Sequence, residues 1–383
     1  MSDWVGATVR QSDTLRAAVM VVCAFMAAAL VWGCEGTGGR GKCPVEVETV
    51  ATGLAEPRGM ASGPDGYLYV AETGREESGS RVVRIEDDGT ATAVVVGLPV
   101  FLHGIEERLG VTDVAFRGDE MFVLQGYAES PLGSSLLRRS EDGGLRVVAN
   151  LQDVLRRRFQ PSESDPYEPV FSNPFALAYS SDADLFYVVD SGANAVYSIT
   201  PAGATEVVFQ WTDNPVPTGI AIGPGGDLYV ALFTHLPYET GTGSIVRILQ
   251  DRATAVVMSL TTPIDVGFDL EGRMYVLEFS GGYDPRGPEG LFKPDSGRLL
   301  RIDGSRREVL LDGLAFPTRM FFAPAGELYL VHAGALSGPG AGGVMKVTPC
   351  ERPRRASSGG VGRNETGSNI GPAARLPPET GST

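Results

Sequence analysis

An aromatic-centred apolar trio recurs six times along this chain: Leu68-Tyr69-Val70, Met121-Phe122-Val123, Phe186-Tyr187-Val188, Leu228-Tyr229-Val230, Met274-Tyr275-Val276 and Leu328-Tyr329-Leu330. Successive copies lie 53, 65, 42, 46 and 54 residues apart. That period belongs to a four-stranded unit that must stack on neighbours to bury its faces. The expected architecture is all-β: a six-bladed β-propeller. A length of 383 residues would otherwise suggest two or three domains, but the repeat binds the middle of the chain into one.

Other columns move in step with the trio. Ahead of it stand Pro57-Arg58-Gly59-Met60, Asn173-Pro174-Phe175-Ala176, Val216-Pro217-Thr218-Gly219 and Phe316-Pro317-Thr318-Arg319. Tight turns follow, such as Gly63-Pro64-Asp65-Gly66 and Gly223-Pro224-Gly225-Gly226. Their Gly and Pro suit a short hairpin between a blade's first and second strands. A third strand comes after each trio, with a cation at one register in five of six copies: Arg84, Arg138, Arg247, Arg301 and Lys346. These cations are expected to pair or snorkel at the blade edge. A β-branched fourth strand follows in five blades and is missing after Val347. Val45 to Val50 alternates as a half-buried strand should and would supply it, closing the ring.

The termini carry separate signals. Arg10 and Arg16 precede a sixteen-residue apolar run, Ala17 to Trp32, shorter than the roughly 20 residues of a membrane span. Leu30-Val31-Trp32-Gly33-Cys34 resembles a bacterial lipobox, with Trp32 bulky where that motif has a small residue. The expectation is a lipoprotein signal over 1–33, lipidation at Cys34, a flexible tether to 42, and a mature protein facing the periplasm or cell exterior; a secreted product and an uncleaved anchor are the alternatives. Cys43 and Cys350 flank the junction where the sixth blade lacks its hairpin turn, so a disulfide is expected there, worth about 5 kcal/mol for so long a loop. Residues 351–383, rich in Arg, Ser, Gly and Pro, are expected to be disordered.

A net charge of -15 argues against nucleic acid as a partner. Arg156-Arg157-Arg158 is the one basic run, and a solvated face explains it more simply than an anion site. In a propeller the connections before each first strand and after each second strand emerge on one face. The insertions gather there: 73–80, 126–134, 152–173, 233–243, 279–297 and 333–342. Long loops around one mouth of a rigid scaffold are where recognition is expected.

Two columns of candidate residues should face that mouth. At the ends of the second strands stand Glu72, Gln125, Asp190, Leu232, Glu278 and His332. Glu72, Asp190 and Glu278 could hold a hard cation such as calcium. At the starts of the first strands stand Gly59, Asp113, Ala176, Gly219, Asp265 and Arg319, with Arg58 alongside. Arg58 and Arg319 could pair with Asp113 and Asp265 or receive an anion. A polar channel that only holds ordered water would carry the same residues. His103 and His235 have no evident partner, so a histidine dyad would rest on His332 beside Asp190 or Glu278.

Gly53-Leu54-Ala55-Glu56-Pro57-Arg58-Gly59, Gly63 to Glu72 and Val188-Val189-Asp190-Ser191-Gly192-Ala193-Asn194 resemble NHL-type propellers. Continued through Pro217-Thr218-Gly219, Leu236-Pro237-Tyr238, Tyr275-Val276-Leu277-Glu278 and Phe316-Pro317-Thr318, the succession over residues 45 to 348 resembles the ScyD/ScyE family of exported propellers. The resemblance implies an envelope protein and little chemistry; Leu232 stands where a polar residue would be expected. The expected function is a monomeric binding or accessory protein that receives a small molecule or an envelope partner at the long-loop mouth. A calcium-dependent hydrolase of the SMP-30 type and a purely structural docking propeller are the alternatives. The column from Gly59 to Arg319 does not reproduce the SMP-30 metal set, and the histidine base and cationic cradle of a quinoprotein sugar dehydrogenase are not evident.

Overall fold

The structure, a computed structural model, describes residues 45–75, 79–103, 107–158, 171–286, 291–338 and 340–349. Six four-stranded antiparallel sheets follow one another along the chain as blades. Blade 1 comprises Pro57–Ser62, Leu68–Arg75, Gly79–Ile85 and Ala91–Leu98, and blades 2 to 5 begin with Val111–Arg117, Pro174–Ser180, Pro217–Ile222 and Pro263–Phe268. Blade 6 takes Arg319–Phe322, Leu328–His332 and Gly342–Thr348, then the N-terminal strand Glu46–Leu54 as its outer strand. Glu46 pairs with Thr348 and Leu54 with Gly342, so the two ends of the domain share one sheet.

Every trio is a second strand, and its side chains pack sideways onto the neighbouring blade. Six apolar clusters result, one at each blade junction, including the junction of blades 6 and 1 built on Leu54, Met60, Val70, Val331 and Val344. Burying an aliphatic or aromatic side chain contributes roughly 1.5–3 kcal/mol. No blade could bury both of its faces alone, which is why the period predicts the ring. The hairpins between first and second strands close as expected: Gly66, Gly226 and Gly326 have φ of 84, 83 and 97°, a conformation open to glycine.

The third-strand cations are paired. Arg138 bonds Glu120, Arg247 bonds Asp227, Arg301 bonds Glu308, Arg84 bonds Glu86, and Lys346 stands 3.7 Å from Glu327 and over the Tyr329 ring. All five stand opposite the central aromatic of the trio, on the side of the sheet register away from the long loops.

One element departs from the all-β expectation. Leu151–Arg158 is a helix, its first turn capped by the Asn150 side chain, which accepts the Asp153 N–H at 2.9 Å. Leu151 and Leu155, four residues apart, bury one face, while Arg156, Arg157 and Arg158 are exposed and Arg156 pairs with Asp153. Among the described residues no helix is long and apolar enough to cross a membrane. The lipobox cysteine, the Cys43–Cys350 pair and the C-terminal segment lie outside the described residues.

Candidate functional site

A β-bulge recurs where the first strand of a blade begins. Pairing skips one residue between Val111 and Asp113, Pro174 and Ala176, Pro217 and Gly219, and Pro263 and Asp265, and between Pro57 and Met60 two residues stand against one. In blade 6, Thr318 and Arg319 both face Val331. The extra residue is therefore Arg58, Thr112, Phe175, Thr218, Ile264 or Thr318, one per blade. A bulge re-aims its side chain out of the sheet's alternation, and here it aims all six at one place. They line a narrow recess of about 20 Å³ on the long-loop face, together with Gly59, Asp113, Ala176 and Arg319.

The backbone that feeds these bulges is held firmly. Glu56, Val216, Thr262 and Phe316 each sit two residues before a bulge, each before a proline, at φ of 50, 54, 44 and 34°. Left-handed φ is costly for a β-branched residue such as Val216 or Thr262. Backbone bonds over-determine it: Thr73 N–H donates to Glu56 O, Phe233 N–H to Val216 O and Phe279 N–H to Thr262 O. The threonines then tie the even blades to their successors. The hydroxyl of Thr112 donates to Pro174 O at 3.1 Å, that of Thr218 to Pro263 O at 3.1 Å, and that of Thr318 to Pro57 O at 2.9 Å.

The floor of the recess is an ion triad. Arg319 crosses from blade 6, its Nη2 3.0 Å from Asp113 Oδ2 and 3.1 Å from the blade 3 carbonyl of Leu177, its Nη1 3.5 Å from Asp265 Oδ1. Asp113 also accepts the N–H groups of Val114 and Leu177; Asp265 accepts those of Val266 and Met320. Both carboxylates are buried, and burial outweighs the guanidinium and the N–H donors: the Asp113 pKa is raised, and that of Asp265 is pushed to about 6. Burial disfavours the Arg319 cation, but the two carboxylates outweigh it and hold the guanidinium charged. A side chain at Gly59 would meet Asp113 Oδ1 at 2.1 Å, and one at Gly219 would meet Asp265 Oδ1 at 2.6 Å, so each acid needs a glycine in the preceding blade.

The rim is built by a hairpin, Phe101–His103 with Glu107–Leu109, inserted between blades 1 and 2. Its Arg108 donates through Nη1 to Glu56 Oε1 at 2.8 Å, and its carbonyl accepts from Arg58 Nη2 at 3.2 Å. Arg58 turns to Glu56, 3.6 Å away, rather than to Asp113 or Asp265. Arg108 Nε and Arg319 Nε are buried without a hydrogen-bond partner.

The second-strand column does something else. Glu72 accepts the Ala55 N–H at 2.6 Å and the Arg81 side chain; Glu278 accepts the Thr261 N–H at 2.7 Å and Arg298 Nε at 2.7 Å. Asp190 is raised in pKa by burial although Ser172 Oγ donates to it at 2.5 Å, with the Asn173 and Ala193 N–H groups beside it. Gln125 donates to Pro99 O, Leu232 is buried and apolar, and His332 is lowered in pKa by burial. Glu72, Gln125, Asp190 and Glu278 clamp their second strands to the connection arriving from the preceding blade. Glu72, Asp190 and Glu278 do not come together; among the described residues no group of three His, Cys, Asp or Glu is placed to hold a metal ion. Among the described residues Asp190 and Glu278 bond to other groups and not to His332, so the dyad the sequence offered is not formed, and His235 is exposed, its Nδ1 3.1 Å from Asn214 O. The His103 side chain lies outside the described residues.

Of the nine candidate side chains, the recess therefore gathers Arg58, Asp113 and Arg319, with Asp265 reached through Arg319, and leaves Glu72, Gln125, Asp190, Glu278 and His332 outside it. Sequence reasoning missed Glu56 and Arg108, and missed the bulge column. The column was visible as the residue before each member of Gly59, Asp113, Ala176, Gly219, Asp265 and Arg319.

No family model and no curated protein matches the chain. Solved structures do. A putative oxidoreductase (glucose dehydrogenase) of Thermus thermophilus is 18% identical with a TM-score of 0.53, over 79% of this chain and all of that one. The PQQ-bound aldose sugar dehydrogenase of Streptomyces coelicolor is 18% identical, TM-score 0.53, over 79% and 98%. A gluconolactonase of Xanthomonas campestris is 13% identical, TM-score 0.52, over 80% and 90%. At such identity the likeness is one of fold.

Proposed function

We propose that this chain is an exported, lipid-anchored binding propeller of the ScyD/ScyE type that receives a small molecule or an envelope partner at the long-loop mouth, over the axial recess. The observation that carries the reading is the convergence of six bulge side chains on one recess of the long-loop face. The strained, hydrogen-bonded backbone behind the bulges supports a preorganised site rather than a gap left by loose packing. The anchoring part of the proposal rests on the lipobox-like Leu30 to Cys34.

The hydrolase alternative has the fold of a gluconolactonase behind it, and the fold alone. Its expected calcium ligands Glu72, Asp190 and Glu278 are spent on protein donors and stand apart, so no metal-assisted step is written through them. The test is a thermal-shift screen of small metabolites and lactones against the full chain in mild detergent, run with calcium and with chelator. A ligand that raises Tm saturably in both conditions, and ceases to do so in Ala176→Phe, supports the proposal. Calcium-dependent lactone hydrolysis overturns it in favour of the enzyme, and the absence of any ligand overturns it in favour of a docking scaffold.

A further inference from the structure

One inserted element reaches the recess from the rim. Between blades 4 and 5 the chain needs only Thr261 and Thr262 to pass from an outer strand to the next inner one, and between blades 5 and 6 only residues 315–318. Between blades 1 and 2 it has residues 99–110, and there it forms the paired strands Phe101–His103 and Glu107–Leu109. The span does not require them, so they have another use.

The second of these strands lies over the axis. Glu107, Arg108 and Leu109 line the recess with the bulge residues of all six blades, and Leu109 is buried there. Tyr238, on the blade 4 loop, is raised in pKa by burial and then by the Glu107 charge, so a strand that leaves blade 1 comes near blade 4, across the mouth. On the blade 2 side, Phe101 meets the Tyr127 ring edge-on, their centroids 4.9 Å apart.

Little holds this strand down. Arg108 Nη1 donates to Glu56 Oε1 at 2.8 Å, and Arg58 Nη2 donates to the Arg108 carbonyl at 3.2 Å. Glu56 also stands 3.6 Å from Arg58, so one buried carboxylate orients both guanidiniums that grip the strand. The grip is incomplete: among the described residues, Glu56 Oε2 and Arg108 Nε are buried without a hydrogen-bond partner. Both regain water on release, which offsets part of the cost of opening. Beneath the strand, about 20 Å³ admits a water molecule and no organic ligand.

On the reading that the mouth receives a small molecule, we propose that these two strands are a strap that holds the axial recess shut, latched by Arg108 on Glu56, and that whatever reaches the bulge column must first release it. Apparent affinity then depends on the fraction of molecules unlatched.

The test reads opening without a ligand, by residue-resolved amide hydrogen exchange of the full chain in mild detergent near pH 7. The reporters are the Val114 and Leu177 N–H groups, which donate to Asp113 on the recess lining. The reference is the Thr261 N–H, hydrogen-bonded to Glu278 outside the recess. Expected are reporters about tenfold faster in Arg108→Gln than in the parent, faster still in Glu56→Gln because both grips loosen, and no faster again in the double variant. Thr261 should keep the parent rate in all three, and Arg156→Gln on the exposed helix should change nothing. Far-UV circular dichroism and Tm establish that each variant folds; if Glu56→Gln does not, Arg108→Gln decides. Reporter rates unmoved in a folded variant, reporters and Thr261 quickening together, or single effects that add in the double variant overturn the latched strap and leave the reading of the mouth untouched. Reporters that quicken as expected, beside a thermal-shift screen that finds no ligand for the parent or for Arg108→Gln, uphold the strap and overturn the small-molecule reading.

Discussion

The starts of the first strands and the ends of the second strands stand side by side in the sequence repeat, and both are rich in charge, yet they do opposite work. Arg319, Asp113 and Asp265, from three different blades, meet in one triad on the axis. Glu72, Asp190 and Glu278, also from three blades, never meet; each is saturated inside its own blade and the connection leading to it. The difference is one strand of radial distance. A first strand is the innermost of its blade, so equivalent positions crowd together; a second strand is one sheet spacing of about 4.8 Å farther out, and its carboxylate finds backbone N–H groups before it finds another blade. In a propeller, a column is a site only if it lies on the inner strand.

Removing one member from each column sharpens that contrast. Arg319→Gln leaves two buried carboxylates without their shared cation, and stranding a buried charge costs about 3–5 kcal/mol. We expect the largest loss of urea stability here, greater at pH 7.5 than at pH 5, because protonation can neutralise the stranded acids. A loss below about 1 kcal/mol would mean that the triad is not a unit. Glu278→Ala should cost somewhat less, about 2–3 kcal/mol, by leaving the Thr261 N–H buried and unpaired while Arg298, partly exposed, recovers water. Its loss should not change with chelator. A Tm that falls on chelation in the parent and no longer does so in Glu278→Ala would put a metal where the clamp is drawn.

The titration of Asp265 gives a smaller and more selective test. Its folded pKa of about 6 lies above the ordinary carboxylate value, so the folded state holds the proton more tightly than the unfolded chain. The associated stability is fully present below the unfolded pKa near 4 and is lost as pH rises through about 6. At ~1.4 kcal/mol per unit the swing is at most about 3 kcal/mol, and coupling to Asp113 through Arg319 reduces it. Between pH 4.5 and 7.5 the parent should lose more stability than Asp265→Asn does. Identical slopes would show that the aspartate is ionised throughout and that Arg319, not burial, sets its charge.

Much of this was legible because repeats encode radius as well as period. The trios gave the second strands, the Gly and Pro turns gave the hairpins, and Val45 to Val50 pointed to the closing strand, although its alternation marks no buried face: Val47 is exposed and the strand is buried at Ala51 and Leu54. Asp113, Asp265 and Arg319 were legible as a set because inner-strand positions must converge. Arg108 was not: it sits on a hairpin between blades 1 and 2 that breaks the period, and nothing local announces that it folds back over Glu56. The metal grouping of Glu72, Asp190 and Glu278 came from treating a column one strand too far out as though it faced the axis. The bulge column was present in the letters as Thr112-Asp113, Thr218-Gly219 and Thr318-Arg319, but period-two alternation turns one of each pair away, and only the extra residue in the strand lets both point inward.

The threonines of that column supply the mildest test, and it separates the sewn junction from the ordinary ones. Thr218 ties blade 4 to blade 5 through Pro263, 45 residues on; Thr318 ties blade 6 to blade 1 through Pro57, 261 residues back. Each hydroxyl donates one buried hydrogen bond, so Thr→Val at either place should cost about 1 kcal/mol, and the two losses should add because the junctions share no partner. Their local consequences should differ. At blades 4 and 5 the chain itself crosses the junction, whereas at blades 6 and 1 closure depends on the strand Glu46–Leu54 reaching Gly342–Thr348. Native-state hydrogen exchange should therefore quicken over Glu46–Leu54 in Thr318→Val and stay at the parent rate there in Thr218→Val. Equal protection of that strand in both variants would show that the apolar cluster of Leu54, Val331 and Val344 closes the ring without help from the axial hydroxyl.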